Sequence, residues 1–241
     1  MIIINASCRK SASTLIFDYQ RDIVASVHQR NSLSAIKKYS KGKGYRGKLD
    51  FKTFLILLYL NYRFGDVVLK THGEPTFYVK LLVNLGLAKV TYSYRDFRDV
   101  ALSMIDHGRR TRMNMSTEET KSGITRNFSD VQNIQDAISK VSIEIENYYK
   151  WKSFKKALYI KYENFISHKF EYLKKLSEYL NYELEEDKLK QIYEKYENGN
   201  ARNFNKGVAK RYIEELKQEE ITLITKTLYQ PLIDSGYEVK A

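Results

Sequence analysis

The chain begins with an unbroken apolar run, Ile2-Ile3-Ile4, which soon gives way to a small, hydroxyl-rich stretch, Ser7-Cys8-Arg9-Lys10-Ser11-Ala12-Ser13-Thr14. A short apolar run stopped by polar residues predicts a buried strand from Ile2 to Ala6, and the helical spacing of apolar positions beyond it predicts a helix from Ser13 to about Arg30. Asp50 stands as N-cap of a second helix, reaching about Arg63 and ended by Gly65. The β-branched content of residues 66–71 predicts a strand. The pattern then gives a helix over Thr76 to Leu85 stopped by Gly86, a strand over Ala88 to Arg95, and a helix from Arg98 to about Gly108. A polar stretch from Thr111 to Ser129 predicts an irregular or lid segment. A long helix from Asp130 to Lys152 and a fourth strand from Ala157 to Tyr162 come next. Helices at Lys169 to Leu180 and Glu185 to Tyr196, a loop from Asn198 to Arg211 and a last helix from Ile213 to about Ser235 complete the chain.

Strands repeatedly separated by helices pair in parallel through right-handed crossovers, so the expected fold is α/β, a mostly parallel sheet flanked by helices. No Pro-, Gly- or Ser-rich linker and no internal repeat divide the 241 residues, and one domain over 1–241 is expected. Ligands of such sheets sit at the carboxyl ends of the strands. Three segments fall there: residues 7–14, Lys70-Thr71-His72, and the stretch from Arg95 to Ser103.

The formal charge of +12 changes the picture, because it draws polyanions or an anionic small molecule. The cations are interleaved with glutamates, as between Lys169 and Lys195, rather than gathered in one arm, so no nucleic-acid partner is expected. Two concentrations remain. Residues 37–48 read as a surface loop, and Arg109-Arg110-Thr111-Arg112 as either a solvated basic face or a preference for an anionic acceptor. The single cysteine, Cys8, excludes an internal disulfide and a cysteine zinc site; it either packs or lines the first turn. The longest apolar run, Phe54 to Leu60, falls short of the roughly 20 residues of a span, and no secretory leader is evident. A cytoplasmic protein without a membrane partner is expected.

A helix N-terminus offers unpaired N–H groups and a positive dipole end, which suits phosphate-like groups. A nucleotide triphosphatase would wrap its phosphates with G-x-x-x-x-G-K-[ST]. Here Lys10-Ser11 is present, but the first glycine is Gly42. What remains, Lys10 with Ser11, Ser13 and Thr14, suits a tetrahedral anion of little charge; taken alone, it equally suits the polar cap of an ordinary helix. In the later segment Arg95 can fork a phosphate bidentately, Ser103 can reach the same group from the helix, and Asp99 steadies the turn; taken alone, such a triple is often ordinary surface and capping chemistry. Two anion sites imply a ligand with two separated anionic groups. His72 stands at a strand end, where a lone histidine is either structural or catalytic, whereas His28, His107 and His168 read as surface residues.

In chain order and over nearly the whole chain, these segments resemble the sulfotransferases that use 3′-phosphoadenosine 5′-phosphosulfate (PAPS). Arg9-Lys10-Ser11-Ala12-Ser13-Thr14-Leu15 is similar to their 5′-phosphosulfate loop, P-K-S-G-T-T-W, with Arg9, Ala12 and Leu15 replacing proline, glycine and tryptophan. Arg95, Asp99 and Ser103 match the 3′-phosphate motif R-x-x-x-D-x-x-x-S. Lys70-Thr71-His72 matches K-T-H, which supplies that family's base. The segment from Leu158 to Phe165 is similar to a strand ending Y-E-D-L, which puts Tyr162 either near the adenine or simply in the core. Phe204-Asn205-Lys206-Gly207-Val208-Ala209-Lys210-Arg211-Tyr212 resembles F-R-K-G-x-x-G-D-W, the loop closing over the 3′-phosphate. Lys206 and Gly207 match there, Asn205 replaces the arginine, and Arg202 is a candidate to restore the charge. Gly236-Tyr237 resembles the closing G-Y.

The resemblance implies a P-loop-NTPase-like sulfotransferase fold, PAPS as co-substrate, its desulfonated form PAP as product, and no metal. Cofactor binding falls to Arg9, Lys10, Ser11, Ala12, Ser13, Thr14, Arg95, Ser103, Tyr162, Asn205, Lys206 and Gly207, and catalysis to His72, Lys10 and Lys70. The acceptor is a small molecule with a hydroxyl or amine, in the manner of natural-product tailoring, and the enzyme is a monomer or homodimer. Sulfuryl transfer is mostly positioning and charge stabilisation. Lys10 neutralises the leaving oxygen, Lys70 adds a cation near the sulfuryl group, and His72, with an ordinary pKa near 6.5, takes the acceptor's proton. Two other readings stand: a P-loop nucleotide or small-molecule kinase, against which the missing glycines argue, and a basic nucleic-acid-binding module.

Overall fold

A computed structural model describes residues 1–27, 44–116, 127–197 and 207–239. His28, most of the basic stretch 37–48, Arg202, Asn205 and Lys206 lie outside the described residues. In chain order the elements are β1 (Ile2–Ser7), α1 (Ser13–Val27), α2 (Phe51–Phe64), β2 (Val67–Thr71), α3 (Phe77–Asn84), β3 (Ala88–Tyr94), α4 (Phe97–Met113), α5 (Ile134–Lys152), β4 (Ala157–Lys161), α6 (Tyr162–Ser167), α7 (Lys169–Tyr179), α8 (Glu186–Glu197), α9 (Tyr212–Glu215), α10 (Gln218–Thr227) and α11 (Tyr229–Asp234). They gather into two compact units, residues 1–94 with 147–207 and residues 95–146 with 208–241.

The first unit holds the sheet. Its strands run β2-β1-β3-β4, all parallel, so the expected α/β fold is the observed one. β1 lies between two neighbours, with Ile3 opposite Val68 on one side and Lys89 on the other. A strand covered on both faces reads as a continuous apolar run rather than an alternation, and every residue of β1 is buried. Beneath it α1 lays Leu15, Ile16, Tyr19 and Ile23 against Ile3, Val68 and Ile160, and α6, α7 and α8 close that core with Phe165, Leu173, Leu176, Ile192 and Tyr196. At the outer edge of β2, the Lys70 amide donates to the Gly44 carbonyl and the Arg46 amide to the Lys70 carbonyl, at 2.8 and 2.9 Å. Asp50 caps α2 by accepting from the Thr53 amide at 2.9 Å, and Gly65 ends it with φ 85°, as the sequence predicts. The strand expected to reach Tyr162 stops at Lys161, where the chain turns straight into α6, a helix the pattern did not reveal.

In the second unit α4 runs past its predicted end at Gly108 to Met113. Gly108 is there for space rather than for a stop: a Cβ at that position would lie 2.3 Å from the Phe128 carbonyl and 2.7 Å from that of Val131. Arg112 Nη1 donates to the Ser129 and Val131 carbonyls at 2.9 and 2.8 Å, so it braces this turn, whereas Arg109 and Arg110 are exposed. His107, expected at the surface, is half-buried with its ring edge-on to Phe128. α5 starts at Ile134 rather than Asp130 because Asn133 Oδ1 accepts from the Asp136 amide, a cap that fixes the first turn. The single last helix predicted from Ile213 is three short ones. Leu216 and Lys217 are extended (ψ 150° and 152°), and Pro231, lacking an N–H, cannot continue a helix through Leu228.

Candidate active site

In the first unit the carboxyl ends of β1 and β2 meet around residues 7–14 and 70–72. The Cys8 amide extends the β1–β3 ladder by donating to the Ser93 carbonyl at 2.9 Å, which buries the thiol in a packing role. The chain must then reverse into α1 without a glycine. It does so with Lys10 and Ala12 in the left-handed region, at φ 69° and 59°, a conformation that costs an L-residue about 1–2 kcal/mol. Ser11, wholly buried between them, braces the turn: its hydroxyl lies 2.6 Å from the Cys8 carbonyl, 3.1 Å from the Ser93 carbonyl and 2.9 Å from Ser93 Oγ. The Ala12 carbonyl takes the first α1 hydrogen bond, from Ile16. No acidic residue occupies the first turn of α1, so its positive end is left uncompensated. Such strain without glycine, at a helix N-terminus beside a lysine, is the pattern expected of a functional turn.

Two side chains, Lys70 on β2 and His72 just past its end, reach this turn and the last residue of β1 before it. Lys70 Nζ donates to Thr14 Oγ1 at 2.8 Å, joining two segments separated by 56 residues. His72, half-buried, places Nδ1 2.9 Å from Ser7 Oγ and 3.1 Å from the Ser7 carbonyl. Because a carbonyl only accepts, Nδ1 carries the proton of the neutral ring and Nε2 is left bare. The expected pKa near 6.5 is corrected: burial, then the charge of Lys70, with Arg9 and Lys10 adding to it, pushes His72 down to about 3 against the upward pull of the Ser7 carbonyl bond. The residues around it are also held. Asn147 Nδ2 donates to the His72 carbonyl at 3.2 Å, Trp151 Nε1 to the Gly73 carbonyl at 3.0 Å, and the Tyr45 ring lies 5.5 Å from the imidazole. Sequence reasoning did not single out Ser7, Tyr45, Asn147 or Trp151. Tyr162, buried, opens α6 at the end of β4.

In the second unit Arg95 and Ser103 are both buried, the latter on the inward face of α4. Asp99, fully buried, is the hub. Its Oδ2 accepts from Arg95 Nη2 at 2.9 Å and the Lys210 amide at 2.8 Å, and its Oδ1 from the Tyr212 amide at 3.0 Å. Arg95 Nη2 also donates to the Val208 carbonyl at 2.8 Å. The residues after Gly207 (φ 67°) are thereby clamped onto the first turn of α4. Lys210, standing where F-R-K-G-x-x-G-D-W has its second glycine, is left-handed at φ 60°. Arg98 completes the clamp: it pairs bidentately with Asp96, the α4 cap, at 3.0 and 2.7 Å and lies 4.2 Å over the Tyr212 ring. Arg211, buried, holds Asp106 and Glu215, which push its pKa up.

Comparison with known proteins adds the family. No curated protein sequence matches the chain. Among solved structures, it is similar to retinol dehydratase complexed with retinol and PAP (17% identity, TM-score 0.62, covering 100% of this chain and 83% of that one). It is also similar to retinol dehydratase complexed with androsterone and the inactive cofactor PAP (16%, 0.59, 100% and 82%). A third likeness is to mouse sulfotransferase SULT7A1 complexed with PAP (13%, 0.59, 97% and 85%). At these identities the likeness is one of fold. The profile of the sulfotransferase domain matches residues 61–230, a stretch that takes in Lys70, His72, Arg95, Ser103 and Tyr162 but not the turn at residues 9–14. On that match the chain belongs to the sulfotransferase-domain family.

Proposed function

We propose that the protein moves a sulfuryl group from PAPS to a hydroxyl or amine of a small-molecule acceptor. The observation that carries this reading is the bond from Lys70 to Thr14, with His72 held on Ser7. It gathers a cation, a base and a glycine-free anion turn from separate stretches of sequence. The donor set suits a phosphosulfate. Lys10, Lys70, Ser13, Thr14 and the open end of α1 offer charge and hydrogen bonds to a few oxygens, without the glycine-wound backbone that wraps a triphosphate. Arg95, Ser103 and Gly207 are assigned to the 3′-phosphate and Tyr162 to the adenine; Asn205 and Lys206, outside the described residues, keep the 3′-phosphate role that the motif implies. The structural relatives that hold PAP, and those complexed with androsterone or retinol, support a small apolar acceptor with a hydroxyl.

PAPS supplies an activated sulfuryl group on its 5′-phosphate. The acceptor oxygen or nitrogen bonds to sulfur as the bond from sulfur to the 5′-phosphate oxygen breaks. His72 Nε2 accepts the acceptor's proton, and Lys10 meets the charge left on the departing oxygen. Lys70 balances the sulfuryl oxygens, Ser11 braces the turn, and Arg9 and Ala12 belong to the same phosphosulfate-binding loop. A base so depressed in the free protein is a weak one; an incoming polyanion offsets the field of Lys70, Arg9 and Lys10 and raises its basicity in part, while the larger contribution, burial, remains.

A thermal-shift titration tests the reading against its rivals. PAP stabilises the protein, whereas ATP with magnesium and a single-stranded oligonucleotide do not. Stabilisation by ATP–magnesium alone would select a kinase, and a salt-sensitive response to oligonucleotide alone a nucleic-acid module.

A further inference from the structure

Helix α2 is apolar on its outward as well as its inward side. Thr53, Leu57 and Leu60 are buried. On the other side Phe51, Leu55, Tyr59 and Tyr62 remain 53, 48, 53 and 90% exposed, and Phe77, opening α3, remains 70% exposed. The spacing of these α2 residues, near four and then three, sets them on one face. The Tyr78 ring joins the two helices, 5.6 Å from Phe51, 5.5 Å from Phe54 and 5.7 Å from Phe77. A helix apolar all round is normally enclosed, and a continuous exposed patch of this kind marks an interaction surface.

The charges say which kind. α2 and α3 carry Lys52, Arg63 and Lys80 and no acidic residue. All three are exposed, and none forms an ion pair with another described residue. Elsewhere in the same unit several surface lysines are paired, Lys150 with Glu74, Lys174 and Lys190 with Glu186, and Lys195 with Asp22, while Lys48, Lys155 and Lys188 form no ion pair with a described residue. The acids that border α2 are engaged as well, Asp50 in capping Thr53 and Asp66 with the N-terminal amine and Tyr182.

We propose that this face docks on the surface of an anionic lipid bilayer. Phe51, Leu55 and Phe77 would enter the headgroup boundary, Tyr59 and Tyr62 would lie at the level where tyrosine is favoured, and Lys52, Arg63 and Lys80 would meet lipid phosphates. A second copy of the chain is the poorer occupant. A two-fold contact through α2 and α3 brings three cations against the same three, with no carboxylate on either helix to answer them. The expectation of no membrane partner rested on the lack of a spanning run. No described helix is long and apolar enough to cross a membrane, but docking at the interface requires none.

Vesicle co-sedimentation tests this with the whole chain. It binds phosphatidylcholine vesicles containing about one-third phosphatidylserine and leaves pure phosphatidylcholine largely unbound. Tyr62→Ser combined with Phe51→Ser lowers the partition coefficient at least tenfold. Lys52→Ala and Lys80→Ala each lower it roughly fivefold, with unchanged circular dichroism throughout. Failure to bind the anionic vesicles overturns the proposal, as does binding that the four substitutions leave intact. A wild-type dimer in light scattering that Tyr62→Ser makes monomeric overturns it too, since the face then belongs to a second copy.

Discussion

His72 Nδ1 sits within hydrogen-bond reach of both the hydroxyl and the carbonyl of Ser7, at 2.9 and 3.1 Å, so β1 fixes the tautomer of a ring presented by the end of β2. The consequence is a pH profile. In the free protein the ring is neutral down to about pH 3, and kcat/KM, which reports the free enzyme, shows no acid limb near 6.5. In kcat, which reports the loaded enzyme, the limb moves to higher pH because bound anions cancel the neighbouring cations. Coincident limbs near the ordinary histidine pKa would contradict the burial argument. Stability follows with the opposite requirement. Between about pH 6.5 and 3 the unfolded chain binds a proton that the native ring refuses, so unfolding becomes easier as pH falls through that window. Urea midpoints of His72→Gln lose that part of the dependence. His72→Ala loses about 10²–10⁴-fold in turnover while PAP binding survives. Ser7→Ala, which keeps the carbonyl, loses far less.

Arg95 and Asp99 are one buried pair, so either substitution lowers stability, and the choice of nucleotide isolates the part Arg95 plays in affinity. Arg95→Ala weakens PAP binding by roughly 1.5–3 kcal/mol, the range for a hydrogen bond to a charged partner, and leaves AMP, which lacks the 3′-phosphate, unaffected. Calorimetry with both nucleotides checks this, and an equal loss for the two would remove the 3′-phosphate assignment. Asp99→Ala does more damage to the fold. It strips the buried partner from Arg95 and the acceptor from the Lys210 and Tyr212 amides, and costs about 3–5 kcal/mol of stability by denaturant unfolding. Asp99→Asn, able to accept but uncharged, recovers part of it.

The strands were legible because β1 and β2 are short apolar runs with turn residues at their ends, and the site segments because Lys10, His72 and Arg95 stand where those runs stop. What periodicity could not supply were contacts between distant stretches. Nothing local marks Trp151 as the donor to Gly73, or Asp99 as the hub of a loop more than a hundred residues later. Gly108 shows the limit most directly. Within one helix a glycine signals an end; only the backbone of residues 128–131 reveals that it makes room.

Gly73 offers the same logic beside the base. A Cβ there would lie 2.3 Å from the Gly47 carbonyl, a backbone atom that cannot swing aside. Gly73→Ala therefore displaces residues 44–47, which pair with Lys70 and place Tyr45 against His72. The expected outcome is a loss of about 1–3 kcal/mol in stability, the usual cost of overpacking, together with a fall in kcat larger than the change in PAP affinity. If kcat is unchanged at the lower stability, the contact is structural and Tyr45 has no part in holding the imidazole.

Ala12 and Lys210 occupy left-handed backbone at φ 59° and 60°, in positions where the family motifs they resemble carry glycine. Each pays a steric penalty between Cβ and the following carbonyl that glycine does not, so Ala12→Gly and Lys210→Gly each raise stability by about 1 kcal/mol. For a chain of 241 residues, that is a rise in Tm of about 2–4 °C. Ala209→Gly is the control. Its φ is not positive, and the same substitution there lowers stability by up to about 1 kcal/mol through the entropy of the unfolded chain. PAP affinity of Ala12→Gly stays within about twofold of wild type, because the turn already has the geometry that glycine would allow and no donor is removed. A loss of affinity without a gain in stability would mean that the glycine-free turn is relaxed rather than strained, and that the stiffness of Ala12 itself holds the anion site in shape.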